Sequence, residues 1–230
     1  QRSLSVPILG GARLSGKLNK DWRIGAMDMQ TGGVDEQGLP AQNFSVFALQ
    51  RRIFARSNIS FMLVDKESRA YQPAGMLPLP SAYNRNVGVE YNLASKDNLW
   101  TGKLLFLKSF VSGGREGGAA YAGHLQYNSR RWLLNGQVEN VDEHYSAEVG
   151  YVPRHGYRRA SSTISYPFLP AGGRILSHGP TLISSNFLDW HGSLSDYETT
   201  LGYTVTTRSG DVMTTTAGAD YVRLLQPFDP

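Results

Sequence analysis

The stretch Val87-Gly88-Val89-Glu90-Tyr91-Asn92-Leu93 puts an apolar side chain at every odd position and Gly, Glu and Asn between them. Successive side chains of an extended chain point to opposite faces, so this segment makes a strand with one greasy face and one wet face. The pattern recurs. Tyr121, Gly123, Leu125 and Tyr127 alternate with Ala122, His124 and Gln126; Trp132, Leu134, Gly136 and Val138 alternate with Leu133, Asn135, Gln137 and Glu139. In 197–206, Tyr197, Leu201, Tyr203 and Val205 face away from Glu198, Thr200, Gly202, Thr204 and Thr206. Segments 42–53 and 181–190 alternate less cleanly and do not assign their faces unaided.

Between these strands the connections alternate in length. Residues 18–21, 55–58, 95–98 and 129–131 are tight, built from Asn, Asp, Ser, Lys and Arg. Residues 31–41, 67–84, 110–118 and 169–180 are longer and mostly rich in Gly, Pro and polar residues. Outer-membrane barrels have this asymmetry, with short periplasmic turns and longer extracellular loops. The rhythm predicts an all-β, antiparallel transmembrane β-barrel of about thirteen strands, each of roughly the ten residues that a tilted strand needs to cross a bilayer. Bacterial barrels of this kind have an even strand number. The expectation is therefore one barrel domain over 1–230, incomplete at one or both ends and part of a larger barrel.

Composition bounds the alternatives. Hydrophobic residues make up 40% and charged residues 18%, yet no run reaches the roughly 18 apolar residues of a helical span. The longest aliphatic and aromatic run is Leu104-Leu105-Phe106-Leu107. Burial must be carried by strands. There is no Cys, which removes disulfides, thiolate metal sites and cysteine nucleophiles together and suits a chain crossing an oxidising periplasm. A net charge of +4 with only isolated pairs (Arg51-Arg52, Arg130-Arg131, Arg158-Arg159) gives no support for nucleic-acid binding.

Trp22, Trp100 and Trp132 each fall just after a short turn and Trp190 just before one, at 191–193. Amphipathic rings prefer the headgroup region, so all four are expected in an aromatic girdle at one rim.

Gly10-Gly11-Ala12-Arg13-Leu14-Ser15-Gly16-Lys17, followed after a turn by Trp22-Arg23-Ile24-Gly25-Ala26-Met27, resembles the opening hairpin of an outer-membrane β-barrel domain of unknown function. That domain is usually found C-terminal to a family-9-like carbohydrate-binding module in Gram-negative surface proteins. Ala147-Glu148-Val149-Gly150-Tyr151-Val152-Pro153-Arg154 is similar to a second recurring feature of it. The resemblance implies a bacterial outer-membrane location and brings no catalytic residue. The expected departure from that pattern is that no such module precedes Gln1.

On the polar face the alternation places Arg13, Lys17, Arg23, Glu90, Lys103, His124, Glu139, Glu148, Arg159, Asp196 and Glu198. A water-filled or internally salt-bridged lumen needs such a mixed lining, because an unpaired charge cannot be left dry. These charges either pair across the barrel and hold its shape or line a path for solutes. His124 with Glu139 on the next strand could form an acid–base pair, but no Ser stands out to complete a hydrolase site, and no catalytic activity is expected. Asp142, Glu143 and His144 could ligate a divalent ion at a loop, or simply be solvated. Asp28, Asp65 and Lys66 fall near outer strand ends, where lipopolysaccharide binding competes with plain solvation. Gly113-Gly114-Arg115-Glu116-Gly117-Gly118 lacks the Lys-Ser/Thr ending of a phosphate loop.

The expected function is transport or surface-polysaccharide handling, with no organic cofactor and no metal. The expected partners are outer-membrane lipid and lipopolysaccharide, saccharides or other small solutes, and other outer-membrane proteins. Two alternatives stay open: a non-transporting membrane scaffold for loops or partner proteins, and a soluble carbohydrate-binding β-sandwich that buries Leu14, Leu18, Ile24, Val87, Val89, Leu104, Phe106, Leu134 and Tyr203 against a second sheet.

Overall fold

The computed structural model describes residues 6–34, 39–68, 81–113 and 117–223. These residues are all-β: β1 (Ile8–Lys17), β2 (Trp22–Thr31), β3 (Gln42–Ile53), β4 (Ser57–Ser68), β5 (Tyr83–Ala94), β6 (Trp100–Val111), β7 (Ala119–Asn128), β8 (Leu133–Val141), β9 (Tyr157–Ser165), β10 (Ile175–Asp189), β11 (Leu194–Thr207) and β12 (Val212–Val222). Each strand is hydrogen-bonded to its neighbours in sequence, in one twelve-stranded antiparallel sheet whose first and last strands do not pair with each other. A sandwich needs a second sheet, and the described residues contain none. The chain divides into two compact units, one of residues 1–91, 105–121 and 141–155, the other of 92–104, 122–140 and 156–230.

The turns follow from their residues. Asn19 Oδ1 accepts the backbone N–H groups of Asp21 and Trp22 at 2.9 and 3.0 Å, reversing the chain between β1 and β2. Asp97 accepts from Ser95 Oγ and Leu99 N, with Asn98 in the left-handed region at φ 64°. Gly192 and Gly210 supply φ of 86° and 100° in the last two hairpins. The short turns at 18–21, 95–98 and 129–131 lie within a residue of where the sequence places them; the one expected at 55–58 is instead 54–56, with Phe54 at φ 53° and Ser57 and Asn58 already in β4.

In the first unit the register from β1 to β4 sorts the side chains. Gly16, Ile24, Leu49 and Phe61 lie across from one another, as do Lys17, Arg23, Gln50 and Ser60 one residue along. In β3, Phe47 and Leu49 take one face and Phe44, Val46 and Ala48 the other. Both faces are apolar there, which is why 42–53 does not alternate cleanly. In the second unit, Leu182, Leu201 and Ala217 share one face, and Ser185, Glu198 and Asp220 the other.

Burial is inverted relative to a water-soluble domain. Among the described residues the buried apolar side chains are only Ala120 and Tyr145, whereas Ser57, Lys66, Ser81, Asn84, Asn86, Ser109, Asn140 and Ser195 are buried polar ones. Leu104, Phe106, Val138 and Leu201 are 60, 51, 53 and 55% exposed. A soluble core puts Leu, Phe and Val inside and leaves Lys and Asn outside.

Two expectations are corrected. Twelve strands are described instead of about thirteen: residues 142–156 form no strand. The long connection expected at 169–180 is shorter, because β10 starts at Ile175 and carries His178-Gly179-Pro180 within it. Pro180 is tolerated where the β9 ladder ends, at the Thr181–Ser165 pair, with Tyr166 N–H donating to its carbonyl.

One crossing fewer also reverses the direction expected for the strands after residue 156. Within the second unit, Trp100 packs on Tyr127 (4.8 Å between centroids) and Trp132 on Tyr166 (4.6 Å), at the end formed by the short turns, where Asn128 N–H donates to Leu99 O. β9 runs toward that end and β10 away from it. Trp190 therefore sits at the opposite end, under the Arg158 guanidinium at 5.2 Å. Trp22 opens β2 in the first unit beside Arg51.

Candidate functional site

The polar faces carry the chemistry. In the first unit, Arg13 lies across from Met27 and Lys17 from Arg23, the latter pair placing one basic side chain directly opposite another. Like charges so placed repel. Lys17 and Arg23 line a cleft of about 260 Å³ with Lys20, Asp21, Arg52 and Arg56. Its one carboxylate, Asp21, is engaged by Arg52 at 3.1 Å. Glu90 follows Asn84, Asn86 and Gly88 on one face of β5 by alternation.

In the second unit, Arg159, Phe187 and Asp196 are in register, two residues along and on the same face as Ser185, Glu198 and Asp220. The carboxylates Asp196, Glu198 and Asp220 line a cleft of about 480 Å³ with Tyr197, Thr200 and Tyr221. Arg159 Nε donates to Ser185 Oγ at 3.2 Å, and its guanidinium lies 5.2 Å from the Phe187 ring centroid. Lys103 alternates with Leu104, whose side chain meets the Gly123 and Val138 face, so Lys103 and His124 share the other.

His124 and Glu139 are not brought together. Val138 abuts Gly123, and Asn135 donates to Gln126 at 3.5 Å, so Gln137 lies across from His124. Glu139 instead accepts from Gln137 Nε2 at 2.5 Å and Tyr157 Oη at 3.2 Å, and faces Arg159 at 3.8 Å. A two-residue offset separates the two halves of the acid–base pair.

The most organised polar assembly is one that the alternation did not locate. Glu148, expected on a strand, lies instead on the connection between β8 and β9. That connection runs over the polar face one strand at a time. Asp142 N–H donates to Ala119 O at 3.0 Å, and His144 O accepts from Gly118 N–H at 3.0 Å. Ser146 N–H donates to Ser109 Oγ on β6 at 3.1 Å, and Glu148 N–H to Asn84 Oδ1 on β5 at 3.1 Å. Finally the Glu148 carboxylate receives hydrogen bonds from Lys66 Nζ on β4 and from Ser81 Oγ.

Lys66, expected to be solvated or to meet lipopolysaccharide, is 5% exposed. Asn84 Nδ2 returns a bond to Ser146 O at 3.1 Å, and Asn86 donates to Asn84 Oδ1 at 2.8 Å while its own Oδ1 is buried without a partner. Tyr145, within the same segment, is buried, and desolvation pushes its phenol above the usual value. Gly118 makes the approach feasible, since a Cβ there would stand 2.3 Å from Tyr145 N.

The remaining candidates resolve locally. Asp142 accepts from His144 N–H at 2.8 Å and faces its Nδ1 at 3.4 Å. Among the described residues no group of three or more His, Cys, Asp or Glu is arranged to hold a metal ion. Asp28 accepts from Ser45 Oγ at 2.6 Å, and Arg85 bridges Asp65 and Glu67.

The aromatic residues at the short-turn end extend beyond Trp100 and Trp132. Tyr166, Phe168, His178 and Tyr203 continue in successive ring contacts, and His178 Nδ1 and Tyr203 Oη are 2.6 Å apart. No family model, curated protein or solved structure matches this chain.

Proposed function

We propose that this chain forms part of the wall of a bacterial outer-membrane β-barrel, its apolar face in lipid and its polar face along a passage for saccharides or other small solutes. The inverted burial carries the reading: polar side chains are buried while Leu104, Phe106, Val138 and Leu201 stand exposed with no second sheet among the described residues to cover them. Exposed apolar surface of that extent is costly in water and stabilising in lipid. The basic cleft in the first unit and the acidic one in the second are, each by itself, charged surfaces of the kind that lines such a passage. Lipid and lipopolysaccharide are its surroundings, and other outer-membrane proteins are partners within reach. The likeness of its first hairpin and of 147–154 to the barrel domain of unknown function belongs with this proposal.

The protein should fractionate with outer membranes, require detergent and migrate faster on a gel when unheated. A monodisperse protein in plain buffer would reject the membrane reading. A second reading, a non-transporting scaffold, is favoured by the β8–β9 connection clamped across the polar face. Planar-bilayer recording separates the two, because only the passage conducts.

A further inference from the structure

The β8–β9 connection has no place in a plain wall. An ordinary rim loop leaves its backbone to water, whereas this one bonds the start of β7 through Asp142 and His144, then β6 through Ser146 and β5 through Glu148. Strands lie about 4.8 Å apart, so the segment covers on the order of 15 Å of the polar face from β7 to β4. Its far end is fixed by charge. Lys66 is almost wholly removed from solvent, and Glu148 supplies its counter-ion. Further along the same segment, Tyr151 is 88% accessible.

We infer that residues 142–156 form the constriction that sets which solutes the wall admits, and that Glu148, clasped by Lys66 and Ser81, is its positioning residue. The inference rests on the passage proposed for this wall. Chain lying on the polar face occupies cross-section that a solute would otherwise use, and its position is set by one long-range ion pair together with the Ser109 and Asn84 bonds. Removing the charge at 148 takes away what holds the far end, while the strand ladders are untouched. Tyr151 then becomes the ring that an incoming solute meets, and aromatic faces suit sugar rings.

The test compares the purified parent protein with Glu148→Gln and Lys66→Met, each first checked for membrane insertion and heat-modifiable migration. Single-channel conductance and the uptake of mono-, di- and trisaccharides into proteoliposomes are measured. Both variants should conduct more than the parent and admit at least one larger saccharide class. Because the chain has no cysteine, Ser109→Cys with Ser146→Cys in the Glu148→Gln background gives a reversible tether. Oxidation should return conductance toward the parent level, and reduction should release it again. A shut parent with a conducting Glu148→Gln variant supports the inference in its extreme form. If the parent conducts and the inserted variants match its conductance and size limit, the constriction is rejected and the passage stands. If neither parent nor variants conduct, the passage reading fails and takes the constriction with it.

Discussion

Lys66 on β4 is ion-paired with Glu148, 82 residues later in the chain, and the pair ties the β8–β9 connection to the polar face. Breaking a buried pair strands one charge, at a cost of about 3–5 kcal/mol, whereas replacing both partners with apolar groups is often neutral. Glu148 retains some exposure, so its loss should fall at the low end of that range. Lys66→Met and Glu148→Leu together should therefore be closer to the parent in denaturant unfolding than Glu148→Leu alone. Additive losses would show that the two side chains do not depend on each other.

Gly118 predicts a second route to the same segment. An added methyl would meet the Tyr145 backbone, while at Gly136 it would meet nothing. Gly118→Ala should cost about 1–3 kcal/mol, the usual range for overpacking, and should speed tryptic cleavage at Arg154. Gly136→Ala should do neither. Equal cleavage rates would mean that the segment is not held by close packing at Gly118.

Strand parity is testable on β6. Leu104 is 60% exposed on the face of β6 opposite Lys103, so Leu104→Arg should cost roughly 2–4 kcal/mol if it lies near the bilayer mid-plane, whereas Lys103→Ala should be mild. Equal tolerance would exchange the two faces, since a one-residue slip inverts every side chain.

Two turn carboxylates give a pH dependence. Asp97 is held below its usual value by the Ser95 hydroxyl and then the Leu99 N–H, and Asp211 by the Ser209 and Thr207 hydroxyls. A depressed folded-state value contributes stability that is present above the unfolded carboxylate value near about 3.9 and is lost as pH falls through the folded one. Asp97→Asn and Asp211→Asn should thus weaken the protein at neutral pH and flatten its loss of stability below about pH 4. An unchanged acid-unfolding curve would remove these turns from the account.

Much of this architecture is legible in the sequence because period two reports directly on strand faces, as it does at 87–93, 121–127 and 197–206. It fails in β3, where Phe44 and Phe47 belong to opposite apolar faces, and at His178-Gly179-Pro180, where turn-forming residues sit inside a strand. The extra strand expected along the chain reversed the end assigned to Trp190. Alternation alone assigns charged residues on strands to a face. Lys66 and Glu148 could not be paired that way, because a contact between a strand and a distant loop has no periodicity, and an isolated lysine near a strand end reads as solvated.

The most direct test of the membrane-wall account uses the cysteine-free background and single substitutions at Thr200, Leu201, Tyr203 and Thr204 of β11. Leu201 and Tyr203 share the apolar face; Thr200 and Thr204 share the face of Glu198. In native outer membranes, a water-soluble maleimide should label Thr200→Cys and Thr204→Cys. A lipid-dissolved quencher should reach fluorophores at Leu201→Cys and Tyr203→Cys. Labelling that alternates in this way is the predicted result. Uniform aqueous labelling at all four positions, with no quenching from lipid, would contradict it.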